Sequence, residues 1–266
     1  MQLGLLGSLL EKLPASNGLQ GGYLADGETP GPLLARALDY INTQLGAMVA
    51  AIKHRGLEGK TAIILSAKHG QSPQSPSALT RIPDGPIIDA LNAAWLADNP
   101  SRVQPLVAFA VNDDGWLMWT NDGSDFATSY AKNFLLHHAG AGNDINGNPK
   151  PYTSSGLATI YAGPDAAAFM GVPAGDSRVP DVIGIAQVGV VCTGGHGKIA
   201  EHGGNNPQDR DVPLVVSGAG IEGGQVNSSA VETTQIAPTI LGLLGLDPAS
   251  LQAVQIEHTQ TLPLGG

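Results

Sequence analysis

His69-Gly70 and His202-Gly203 are the two places where this sequence sets a versatile side chain beside a residue that frees the backbone. Neutral imidazole ligates zinc and similar divalent ions, and small acids complete such a shell. A glycine after each histidine permits a sharp turn and leaves room for a ligand. Lys68 precedes the first pair: an ammonium there can neutralise a phosphate oxygen, fill the place of a metal cation, or pair with a carboxylate. Glu201 precedes the second, where it can orient an imidazole or be a solvated loop acid. Asp26, Asp39, Asp181, Asp209 and Asp211 are the acids nearest these elements. Histidines in glycine-rich loops are most often exposed loop residues, so spacing alone leaves both readings of His69 and His202 open. His54, His137 and His138 sit near predicted helix C-termini, where a cation is favourable. His196 lies in Gly194-Gly-His-Gly197, and His258 reads as a surface residue.

These residues need elements that bring them together. The clearest is a helix from Pro32 to about His54, with Leu34, Leu38, Ile41, Leu45, Met48 and Ile52 on one stripe facing a core. Pro32 suits the first helical position and Gly56 the stop. Thr61-Ala-Ile-Ile-Leu-Ser66 then reads as a strand buried on both faces. Helix followed by strand is half of a βαβ crossover. The strand runs into Ala67-Lys-His-Gly-Gln-Ser-Pro73, and open α/β sheets bind ligands at the carboxyl ends of strands. Val212–Ser217 is another buried-strand candidate, with His202 a few residues ahead of it. Strand-end loops on one edge of a sheet converge, so histidines distant in sequence can meet.

Between them, Ile87–Leu96 is predicted helical. Val107–Val111 and Trp116–Thr120 flank Asn112-Asp-Asp-Gly115, a hairpin signal. Ser124 or Asp125 caps a helix reaching His138, Gly140–Ser155 reads as a polar loop, and Leu157–Tyr161 as a strand. Residues 84–178 therefore read as an insertion or cap beside the sheet. Val182–Ile185 and Val188–Val191 resume the short apolar strands, and Ile236–Leu244 is helical in pattern, stopping at Gly245.

Composition excludes several classes. Of 266 residues, 42% are hydrophobic and only 14% charged, which rules out a disordered chain. Thirteen Lys+Arg against 23 Asp+Glu give a net charge of −10, with no basic run, so a nucleic-acid polymer is not an expected partner. A small phosphate ester stays open, because a bound metal inverts the local field. One cysteine, Cys192, allows no internal disulfide and no thiolate zinc cluster. No apolar run is long enough for a membrane span. Met1–Leu10 lacks a basic n-region and a small-residue cleavage site, so it reads as a mature segment. Phosphate-binding GxxxxGK[ST], GxSxG and HExxH patterns are all missing.

Four segments in order, Thr61-Ala-Ile-Ile-Leu-Ser-Ala-Lys-His-Gly-Gln71, Lys198-Ile-Ala-Glu-His-Gly-Gly204, Asp211-Val-Pro-Leu-Val-Val-Ser-Gly218 and Gln235-Ile-Ala-Pro-Thr-Ile-Leu-Gly-Leu-Leu-Gly245, carry a resemblance. Together they resemble the alkaline-phosphatase superfamily in its type I phosphodiesterase/nucleotide pyrophosphatase branch, over roughly residues 20–260. The resemblance implies an α/β fold: a mixed sheet flanked by helices, with a small inserted cap and two metal ions, usually zinc, at strand ends. It implies phosphoester hydrolysis through a Thr or Ser nucleophile. His69 matches the histidine of the Asp-His-Gly motif, and His202 that of the later His-Gly motif.

The chain departs from this pattern in three ways. Lys68 stands where a metal-binding Asp is usual, and a protonated ammonium cannot ligate zinc. Lys68 is then expected to stabilise phosphoryl charge in place of a cation, leaving one ion or two. The loop Tyr23-Leu-Ala-Asp-Gly-Glu-Thr-Pro30 offers Asp26 as its one metal-ligand candidate. The segment bearing the family's first metal Asp and nucleophile has no counterpart here. The expectation is that residues 1–266 are the C-terminal portion of one such domain, its N-terminal half missing. The function expected is a metal-dependent phosphoester hydrolase acting on a small substrate. The alternative is a catalytically inactive binding or structural domain of the same fold. A phosphomutase or a sulfatase is a lesser alternative, and Cys192 in Val-Cys-Thr-Gly-Gly lacks the sulfatase motif.

Overall fold

The computed structural model describes residues 21–264. In chain order its elements are α1 (Pro32–His54), β1 (Ala62–Ser66), β2 (Thr80–Ile82), α2 (Asp84–Asp98), β3 (Val107–Asn112), β4 (Gly115–Thr120), α3 (Asp125–His137), β5 (Gly140–Asn143), β6 (Pro149–Tyr152), β7 (Leu157–Ala162), α4 (Pro164–Phe169), β8 (Val182–Ala186), β9 (Val190–Cys192), α5 (Pro207–Arg210), β10 (Leu214–Gly218), α6 (Ile236–Leu243) and α7 (Gln252–Glu257). The described residues form two compact units, one of residues 21–38 and 69–211, the other of residues 39–68 and 212–264.

The first unit holds two four-stranded sheets, in the orders β6-β5-β2-β9 and β3-β4-β8-β7. Its core gathers Leu91 and Trp95 from α2, Trp116 and Met118 from β4, Leu135 from α3 and Val182 from β8. The hairpin forms as its turn residues dictate, with Asn112 opposite Trp116. Ser124 caps α3 by accepting from the Ala127 N–H. Cys192 is buried, its sulfur accepting from Trp116 Nε1 at 3.0 Å, and burial pushes its thiol well above the ordinary range.

The predicted loop at 140–155 is instead a hairpin, β5–β6. Its strands are Gly-Ala-Gly-Asn and Pro-Lys-Pro-Tyr, a composition that hides a strand. The glycine is needed: a Cβ on Gly142 would collide with the Arg81 carbonyl oxygen of β2. Asp144 closes the turn by accepting from Asn146 N and Asn148 N, both at 2.8 Å.

The second unit contains the two-stranded antiparallel ribbon β1–β10, with Ile64 opposite Val216. The helix-then-strand order of α1 and β1 predicts a parallel crossover. Among the described strand pairs, only β2–β9 is parallel. α1 has the predicted bounds, and Lys53 and His54 in its last turn suit the helix dipole. Its apolar stripe is incompletely covered: Leu34 is buried, whereas Leu38 and Met48 are exposed. Among the described residues, no helix is long and apolar enough to cross a membrane.

Leu91 is fully buried in the first unit's core. Leu91→Ala removes that packing and should lower unfolding stability by about 2–5 kcal/mol. Urea denaturation followed by tryptophan fluorescence, with Trp95 and Trp116 as reporters, checks this.

Candidate functional site

The site grows from three loops of the first unit: the segment after β1, the β3–β4 turn, and the stretch between β9 and α5. The first and third are stitched edge to edge. Ser72 N–H donates to Glu201 O at 3.1 Å, and Glu201 N–H to Ser72 O at 3.0 Å. Gly70 N–H donates to Asp209 O at 2.7 Å. No other residue fits at Gly70, because a Cβ there would run into the Gln208 carbonyl oxygen. The β3–β4 turn joins through Asp114 N–H, which reaches His202 O at 3.4 Å.

Beneath these backbone contacts lies a buried polar cluster. Ser72 Oγ donates to Asp114 Oδ2 at 3.1 Å. Asp209 Oδ2 accepts from Asn206 N–H at 3.2 Å, and Asn206 Nδ2 donates to Ala186 O. Gly204 keeps the space open: a Cβ there would strike Asp209 Oδ2 and come within 2.9 Å of Asp114 Cβ. Burial first, and then the negative charge of Asp209, push Asp114 up to about 8, against the hydrogen bond from Ser72.

On this platform the two histidines meet. The His69 and His202 rings stack with centroids 4.4 Å apart and an interplanar angle of 26°. His69 Nδ1 lies 2.8 Å from its neighbour's carbonyl, Gly70 O, which fixes the ring's tilt. Glu201, 2% exposed, turns one oxygen toward His202 Nε2 at 3.8 Å and pairs through the other with Lys198. Arg81, itself buried, donates through Nε to the Lys198 carbonyl at 2.5 Å and so anchors that loop.

Ligand atoms of Asp113, Glu201 and His202 all lie within 4.8 Å of one another. One imidazole and two carboxylates, beside a second imidazole, suit a divalent ion in chemistry. A cation here would displace the Lys198 ammonium, which now neutralises Glu201. Asp113 is the member that sequence reading missed: Asn112-Asp-Asp-Gly115 signals a turn so strongly that it hides a ligand. Asp26 sits elsewhere in a turn of its own, its carboxylate accepting from Glu28 N at 3.0 Å and Thr29 N at 2.9 Å. Lys68 is exposed, one residue before His69.

At the level of sequence, no family model and no curated protein matches the chain. Solved structures do. Human ectonucleotide pyrophosphatase/phosphodiesterase 5 superposes on 92% of this chain with a TM-score of 0.54 at 14% identity. Its murine counterpart superposes on 91%, with a TM-score of 0.54 at 12% identity. The fold is alkaline-phosphatase-like. The chain spans 53% and 59% of the lengths of those two proteins.

Within this alkaline-phosphatase-like fold, the buried carboxyl of Asp114 gives stability a direction in pH. With its folded pKa raised, the folded state holds a proton that the unfolded state has lost. Stability is then greatest below the ordinary carboxylate range and falls as pH rises toward about 8. Denaturation in chelator between about pH 5 and about pH 8 should show a decline of up to about 1.4 kcal/mol per pH unit. Asp114→Asn should flatten that decline.

Proposed function

We propose that this chain carries the metal-binding part of a phosphoester hydrolase of the type I phosphodiesterase/nucleotide pyrophosphatase branch. The single observation that supports this most is the stacked pair His69–His202 beside Glu201 and Asp113, at strand-end loops of an alkaline-phosphatase-like fold. His69, His202, Glu201 and Asp113 would hold a divalent cation, with zinc the ion that imidazole and carboxylate donors suit. When bound, such an ion supplies Lewis acidity toward a phosphoryl oxygen.

The chain's own residues do the rest. Lys68, exposed beside His69, offers a mobile positive charge to the non-bridging oxygens of a small phosphoester. The Ser72–Glu201 bridge and the Asp114 contact to His202 O hold the loops in register, so the ligand atoms are pre-positioned. Ser72 is buried and its hydroxyl is committed to Asp114, so it positions the loop and does not attack phosphorus. The attacking group belongs, on this reading, to a segment beyond the described residues.

A second reading is a domain of the same fold that binds without turnover. The Lys198–Glu201 pair favours it, since an ammonium already neutralises the best-buried carboxylate.

Zinc titration of the full chain by calorimetry, with bis(4-nitrophenyl) phosphate turnover measured on the chain expressed with its natural in-frame flanking sequence, separates the two. Binding should weaken at least tenfold in His202→Ala, which removes one ligand. Chelator should abolish turnover and zinc restore it. Tight zinc binding with no turnover favours the second reading. Zinc affinity unchanged in a His69→Ala/His202→Ala double variant sinks the metal assignment.

A further inference from the structure

Apolar surface in the second unit is unburied on a scale that its own elements cannot cover. Among its described residues, Pro238 and Leu262 are the buried apolar side chains, and among the described residues both hydrophobic clusters lie in the first unit. β1 and β10 read Ala-Ile-Ile-Leu-Ser and Leu-Val-Val-Ser-Gly, the near-continuous apolar runs of strands meant to be covered on both faces. Yet Leu65 is 38% exposed, and its cross-strand partner Val215 is 53% exposed. On the opposite face, Ala62 and Ile64 line a cavity of about 480 Å³ that separates them from Ile240, Leu243 and Leu244 of the α6 region. A second cavity of about 470 Å³ opens over Leu214 and Val216.

The edges are bare as well. Neither outer edge of the ribbon has a strand partner among the described residues. An isolated pair of five-residue strands is marginal in water, and open apolar edges recruit further strands.

We infer that this unit is one part of a larger sheet, completed by an α/β segment encoded in frame with this chain. That segment would add strands to the β1–β10 edges and helices to their faces. The length comparison supports this occupant: the two similar structures carry 47% and 41% of their chains outside the matched region. A second copy of this chain is a poorer fit. It would bring an equally bare ribbon, doubling the strands and the uncovered faces together. The inference concerns the second unit alone, whereas the metal assignment rests on residues of the first, so either can fail without the other.

Amide hydrogen exchange tests it on two proteins: the 266-residue chain, and the same chain expressed with its natural in-frame flanking sequence. In the chain alone, amides of β1 and β10 should exchange at least a hundredfold faster than those of β4 and β8, and the protein should bind a naphthalene-sulfonate dye. In the extended protein, β1 and β10 should become as protected as β4 and β8, with dye binding lost. Val215→Lys should cut dye binding by the isolated chain and prevent protection in the extended protein, while β4 and β8 exchange is unmoved in both. Three results overturn the inference. One is full protection of β1 and β10 in the monomeric 266-residue chain. Another is protection that appears only with dimerisation in sedimentation. The last is flanking sequence that leaves β1 and β10 exchange unchanged.

Discussion

A carboxylate taken out of water must find donors, a proton or a cation, and this protein buries three beside one another. Glu201, Asp114 and Asp209 are each at most 3% exposed. Each is met in part and by a different group: the Lys198 ammonium for Glu201, Ser72 and a raised proton affinity for Asp114, the Asn206 backbone amide for Asp209, while Asp114 Oδ1 and Asp209 Oδ1 keep no hydrogen-bond partner among the described residues. Ser72 and Asp114 come from different loops, so their hydrogen bond ties two loops together, whereas Lys198 and Asn206 each lie three residues from the acid they serve. The exchange of backbone hydrogen bonds between Ser72 and Glu201 then leaves little freedom for the histidines that flank them. The stacking of His69 on His202 is a consequence of that platform, since two imidazoles in contact contribute little attraction of their own.

Burial is unevenly distributed between the two units. The first encloses tryptophans, leucines and valines between its sheets and helices. The second presents apolar strands and a strongly apolar helix with almost nothing between them. Its sequence nonetheless has the patterning of a core: β1 and β10 carry branched apolar residues on both faces of the ribbon, and α6 is mostly apolar. Pattern and burial disagree there because burial needs surfaces from both sides, and among the described residues little covers the faces of β1 and β10.

Much of the local structure was legible. The Pro32 start and Gly56 stop of α1, the Asn112-Asp-Asp-Gly115 turn and the Ser124 cap are short-range signals, decided by backbone geometry within a few residues. The β5–β6 hairpin was not legible, because Gly142 is there to let the Arg81 carbonyl approach, a requirement set by a strand sixty residues away. The stripe of α1 was readable as apolar, but its exposure at Leu38 and Met48 was not. Asp113 was hidden for a similar reason: a turn residue and a carboxylate grouped with Glu201 and His202 look alike until the third loop is in place.

By itself, then, the sequence determined which residue types were available for chemistry and which short segments would be helix, strand or turn. Imidazole, carboxylate and glycine announce their roles through bonds and torsions that neighbours along the chain control. Tertiary structure alone decided that His69 faces His202, that burial beside Asp209 raises the proton affinity of Asp114, and that β1 runs antiparallel to β10 with no further strand partner among the described residues. Those outcomes depend on distances between groups far apart in sequence, and on how much water is excluded between them, which no local pattern encodes.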